Sequence, residues 1–178
     1  MHVVTTEQRL LQLLGERFFD VVPAEFSTHC AFTSAVSQSV LRRFGVPCQQ
    51  VPCPVWHVAP DGNCIVGFMV KDPAQPRRVG KRWDGHAICV TAHWIIDAAL
   101  SHFTRAFGLE VPQVVVQPRF TVPAQAISRF DLNETEHLWW YNPPPNVDTA
   151  IPLEPPDIVE RHAAALARLL EKELSSVR

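Results

Sequence analysis

The chain reads as an α+β protein, an antiparallel sheet packed with helices, and three features of the sequence point that way. Helical spacing of apolar residues is found at the two ends and in one stretch near residue 30. The middle is a series of short β-rich runs, and two pairs of those runs are close enough to form hairpins. At 178 residues with 47% hydrophobic composition, the material suffices for one core, and residues 1–178 are expected to form a single domain.

Each element has a local cause. Thr5 and Gln8 have the spacing of a capping box, and Leu10, Leu13, Leu14 and Phe18 follow on one side of a first helix. A second helix is predicted over 28–44. Ser27 or Thr28 caps it, Phe32, Val36, Val40 and Phe44 recur on one face, and Gly45 with Pro47 closes it. A last helix follows Pro155-Pro156 with Asp157 as its cap. Its stripe of Ile158, Ala163, Leu166, Leu169, Leu170 and Leu174 is expected to pack on the sheet rather than on a partner.

Between the helices, runs 51–59 and 64–70 flank Pro60-Asp61-Gly62-Asn63, a hairpin signal through Asp-Gly. Runs 86–90 and 93–97 make a second hairpin, and further strands are predicted at 111–117 and 136–141. Segments 71–82 and 142–156, rich in proline or charge, read as loops rather than domain boundaries. No internal repeat is visible.

The chemistry concentrates in Cys30, His86 and Asp97. Cys30 falls in the first turn of the second helix, where unpaired N–H groups and the positive helix end favour a thiolate and can meet a developing oxyanion. If Thr91-Ala92 is a two-residue turn, His86 lies directly opposite Asp97. A four-residue loop over 91–94 instead pairs Ile88 with Asp97 and sets Asp97 diagonal to His86. Both registers keep the imidazole and carboxylate on one sheet face, and only an odd-length loop or bulge separates them. The second helix is expected to cross that face by its N-terminus. His93 shares the face of Asp97 and is the rival base, while Cys89 should point to the opposite face.

A cysteine on a helix, then His on a strand, then Asp on the next strand resembles the papain-like and transglutaminase-like superfamily, whose core arylamine N-acetyltransferases share. The resemblance covers residues 27 to about 100. It implies that Cys30 attacks an acyl carbon, that His86 is the base and that Asp97 orients it. The stretch Val22-Pro23-Ala24-Glu25-Phe26 holds no Gln to serve the oxyanion, and Ala87 stands where an aromatic residue often follows the catalytic His. The expected function is a thiol-dependent hydrolase or acyltransferase acting on an amide, ester or thioester. The alternative is a catalytically inactive domain of the same fold used for binding or regulation.

Composition narrows the partners. A formal charge of -2 with 19% charged residues gives no reason to expect nucleic acid or an anionic membrane surface. No run approaches 18 apolar residues and no basic-then-apolar leader opens the chain, so a soluble cytoplasmic protein is expected. Five cysteines leave at least one thiol free. Cys48, Cys53, His57 and Cys64 lack the usual metal-binding spacing, and neither metal nor cofactor is expected. The substrate is expected to be a peptide, a protein or a small amide or ester. Arg77, Arg78, Lys81 and Arg82 form a basic loop ahead of His86. Trp83 and Trp139-Trp140-Tyr141 are set to pack in the core or line a cleft.

Overall fold

The computed structural model describes residues 6–67, 85–120, 126–145, 147 and 149–176. Thr5, the basic loop and Trp83 lie outside the described residues. Along the chain, α1 (Thr6–Val21) and α2 (Cys30–Arg43) precede β1 (Gln49–Pro52), β2 (Val55–Ala59), β3 (Gly62–Val66), β4 (Ala87–Val90) and β5 (Trp94–Asp97). Then come α3 (Ser101–Phe107), β6 (Val115–Pro118), β7 (Ala126–Asp131), β8 (His137–Tyr141) and α4 (Pro156–Ser176). The α+β class holds, but the strands form two antiparallel sheets of four rather than one, ordered β1-β4-β5-β6 and β3-β2-β8-β7.

The division falls at Pro52-Cys53-Pro54, inside the run expected to be a single strand. Proline gives the ladder no N–H and fixes φ, so the chain leaves the first sheet at Pro52 and joins the second at Val55. The connection still serves both sheets. Cys53 N–H donates to the His86 carbonyl at 2.9 Å, and Tyr141 N–H donates to the Pro54 carbonyl at 3.1 Å.

Alternation along β4 and β5 then sets the layers. Cys89 and Ile96 face the helices, in one cluster with Leu14, Phe18, Val36, Val40, Leu166 and Leu170; α2 lies on β4 and β5, and α4 packs on α1 and α2 instead of on the sheet as expected. Ile88, Val90 and Ile95 face the other way, toward Val55, Leu138 and Trp140 of the second sheet and Phe103 of α3. A strand buried on both sides reads as continuous apolar residues, as β4 does. The order of layers is thus helices, first sheet, second sheet.

Several local departures have local reasons. Ala59 pairs with Gly62, so Pro60 and Asp61 form the turn and β3 begins two residues before the expected Cys64. Neither Ser27 nor Thr28 caps α2, because a 3-10 turn (Ala24–Thr28) takes up both. His29 is the cap position, without a side-chain cap bond. The C-terminus behaves as read: Gly45 at φ 72 lets its own N–H bond the Arg42 carbonyl and Val46 N–H the Leu41 carbonyl, both at 3.0 Å. Two elements carried no readable pattern. Helix α3 buries a single apolar residue, Phe103, and β7 mixes Ser128 and Arg129 into its run.

Candidate active site

The β4–β5 hairpin selects between the two registers. Cys89 pairs with Ile96 and Val90 with Ile95, which sets Ile88 level with Asp97 and leaves Asp97 diagonal to His86. Thr91 N–H then closes on the Trp94 carbonyl at 2.9 Å, and Thr91 Oγ1 accepts from the N–H groups of His93 and Trp94. His93 is exposed at this tip, at the other end of β5 from Asp97.

His86 Nε2 lies 2.8 Å from Asp97 Oδ2, and both side chains are sealed from solvent. Asp97 is held from two more directions: Trp140 Nε1 donates to Oδ2 at 2.8 Å, and Ala99 N–H donates to Oδ1 at 3.0 Å. Burial alone would raise the Asp97 pKa, but the charge of His86 and these hydrogen bonds outweigh it and hold the carboxyl below its ordinary range. Burial likewise opposes charge on His86. The charge and hydrogen bond of Asp97, with a further contribution from Cys30, outweigh it and push the imidazole up to about 10. The pair therefore favours imidazolium beside carboxylate.

With Nε2 committed to Asp97, Nδ1 is the ring nitrogen left over. It is buried and makes no hydrogen bond of ordinary geometry. Cys30 nevertheless bears on the same ring, and its Sγ sits 3.8 Å from the neighbouring Gly85 carbonyl oxygen. Sulfur and imidazole are neighbours without an aligned bond, a looseness common in sites that tighten on substrate binding. Cys30 opens α2, so the N–H groups of its first turn lack intrahelical acceptors. The turn is also pinned from outside. Ser34 Oγ donates to the Cys30 carbonyl at 2.6 Å, and Gln50 Nε2 donates to the Ala31 carbonyl at 3.1 Å and to Ser34 Oγ at 2.8 Å.

One expectation about the helix is overturned. The body of α2 does not cross the face carrying His86 and Asp97; it packs on the opposite face, against Cys89 and Ile96. Only its first turn comes to the triad, at the start of β4, where Cys30 packs on Ala87 and Ala99. His86 precedes β4, so its side chain is reached at the strand end rather than across the sheet.

Other residues around the triad were not singled out for these places. Trp140 was set among core or cleft aromatics, and its bond to Asp97 depends on the second sheet packing over the first. Gly67, at φ 79, lies so close to His86 that a Cβ there would come within 2.6 Å of His86 Cβ. The half-buried His102 ring has its centroid 6.4 Å from that of His86, and burial and the His86 charge push its pKa down. Cys53 is a buried thiol whose pKa is pushed well up by burial, Asp97 and Cys30, which disfavours its thiolate. All five cysteines are free. Among the described residues no three His, Cys, Asp or Glu side chains gather closely enough to hold a metal ion, and no helix is long and apolar enough to cross a membrane.

No protein-family model, curated protein or solved structure matches this chain. Fold-level analogy thus supplies no function, and the chemistry of the site must carry it.

Proposed function

We propose that the protein is a thiol-dependent hydrolase or acyltransferase, similar in plan to the papain-like and transglutaminase-like enzymes, that acts on an amide, ester or thioester. The observation that supports this reading is the sealed His86–Asp97 pair, whose second ring nitrogen makes no hydrogen bond of ordinary geometry, beside a cysteine at a helix start. Cys30 Sγ attacks the acyl carbon while His86 Nδ1 holds its proton. The bond from that carbon to the leaving group breaks, His86 delivers the proton to the leaving atom, and Asp97 keeps the ring in one orientation throughout. First-turn N–H groups of α2 are the donors available to the oxyanion in the absence of a preceding Gln. Water or an amine then releases the acyl group from sulfur.

Trapping the acyl-enzyme tests this. After brief exposure to p-nitrophenyl acetate and an acid quench, the acetyl group should map to Cys30 by peptide mass spectrometry, and should be absent in Cys30→Ser and His86→Gln. Acetylation spread over Cys48 and Cys64 without preference for Cys30 would refute the mechanism. A second reading, a binding domain without catalysis, draws on the near closure of the nucleophile, which is 7% exposed. Loss of cellular effect in a folded Cys30→Ser would count against it.

A further inference from the structure

A specific side chain packs beside Cys30. Cys30 shares a small apolar cluster with Ala87 and Ala99, and Ile151 packs onto that cluster from the segment ahead of α4. The segment is otherwise poorly held. No backbone hydrogen bond ties residues 151 to 154 to the rest of the described structure. Leu153 is 99% exposed, and a cavity of about 210 Å³ lies against the segment, lined by Ile151, Glu154, Gln50, Ser39 and Arg42. Pro152, Pro155 and Pro156 restrict the residues before them to extended backbone, so the segment stands off as a strap instead of winding into α4 early. Ile151 is the branched aliphatic side chain that packs against the cluster of Cys30 and the two alanines.

We infer that Ile151 occupies the acyl subsite of the enzyme. The strap covers Cys30 until a substrate carrying a branched aliphatic acyl group takes the place of that side chain. The inference rests on the acyl-transfer reading above and adds the substrate class. A subsite vacated by Ile151 accepts a group of roughly that side chain's volume, about four carbons beyond the reacting centre, since apolar sites tolerate volume-conserving exchange far better than enlargement. Acetyl groups leave it part empty, and long straight chains overfill it against Ala87 and Ala99.

Two measurements on the full chain test it separately from the triad. Alkylation of Cys30 by iodoacetamide, followed by peptide mass mapping, should be about tenfold faster in Ile151→Gly than in the wild type. It should be unchanged in Leu153→Gly, which alters the same strap at a side chain that covers nothing. Equal rates in all three proteins would overturn the cover. Single-turnover acylation by p-nitrophenyl esters forms the Sγ–acyl bond as the ester C–O bond breaks and nitrophenolate leaves. It should be about tenfold faster with 3-methylbutanoate than with acetate or octanoate. Indifference to the chain, or a steady rise with its length, would overturn the subsite. If no ester acylates Cys30 although Ile151→Gly speeds alkylation, the catalytic reading fails and the subsite with it, while the cover stands.

Discussion

The two ends of the triad are built to different standards. At the base end, Asp97 receives a ring nitrogen, an indole N–H and a backbone N–H, all within 3.0 Å and all out of contact with solvent. At the nucleophile end, Nδ1 of His86 has no ordinary hydrogen bond, and Cys30 stands at the end of a helix whose body packs on another face. A buried carboxylate must be fully satisfied or the fold suffers. On the proposed reading, the sulfur needs no such fixed partner, because it must move onto an acyl carbon. The orientation of His86 is thus built into the core, whereas Cys30 is packed among apolar side chains at the helix start.

Breaking the rigid end should cost most. Asp97→Asn keeps the shape but removes the charge that holds His86, and should destabilise the fold by about 3 to 5 kcal/mol near pH 5, read by urea unfolding. The pH dependence has a definite sign. The folded pKa of His86 is raised, to about 10 from 6.5, so its contribution is full below about 6.5 and is lost as pH rises toward 10. Asp97 is depressed, so its contribution is present above about 4 and is lost as pH falls through its folded value. The difference between wild type and variant should therefore be widest between about pH 4 and 6.5.

Gly67→Ala presses on the same end from outside. Its Cβ would fall 2.7 Å from the His86 backbone nitrogen, at a φ that L side chains rarely adopt, so a loss of about 3 kcal/mol is expected. Gly45→Ala is the control: its φ is also positive but nothing lies within 4 Å, and the loss should be nearer 1 kcal/mol. Equal losses would mean that Gly67 does not buttress His86.

Trp140→Phe is the mildest of the three, at about 2 kcal/mol for one hydrogen bond to a charged group. With that donor gone, the Asp97 pKa should move up toward the ordinary carboxylate range, and acid unfolding should begin at higher pH than in the wild type. An unshifted acid limb would assign Trp140 to packing alone.

The rigid end was legible in the sequence because its partners are close along the chain. His86 and Asp97 are eleven residues apart, and strand parity kept them on one face in either plausible register. The helix after Cys30 was legible for a similar reason, through local spacing of Phe32, Val36 and Val40, although its start was not, since the expected caps Ser27 and Thr28 lie in a 3-10 turn. What stayed hidden depends on distant packing. Trp140 meets Asp97 only because Pro52 and Pro54 divide a strand and send its second half to another sheet. The face on which α2 lies is set by its packing on β4 and β5, at Cys89 and Ile96, which no spacing near residue 30 reveals. Ile151 sits in a proline-rich stretch whose sequence gives a loop but not its destination.

The central claim is that His86 activates Cys30, and the alkylation rate of that one thiol in two proteins tests it most directly. Wild type and His86→Gln are treated with iodoacetamide at about pH 6 and Cys30 is followed by mass mapping, so that exposure is matched and only the base differs. The account predicts labelling at least about tenfold faster in the wild type. Equal rates in two folded proteins would contradict it.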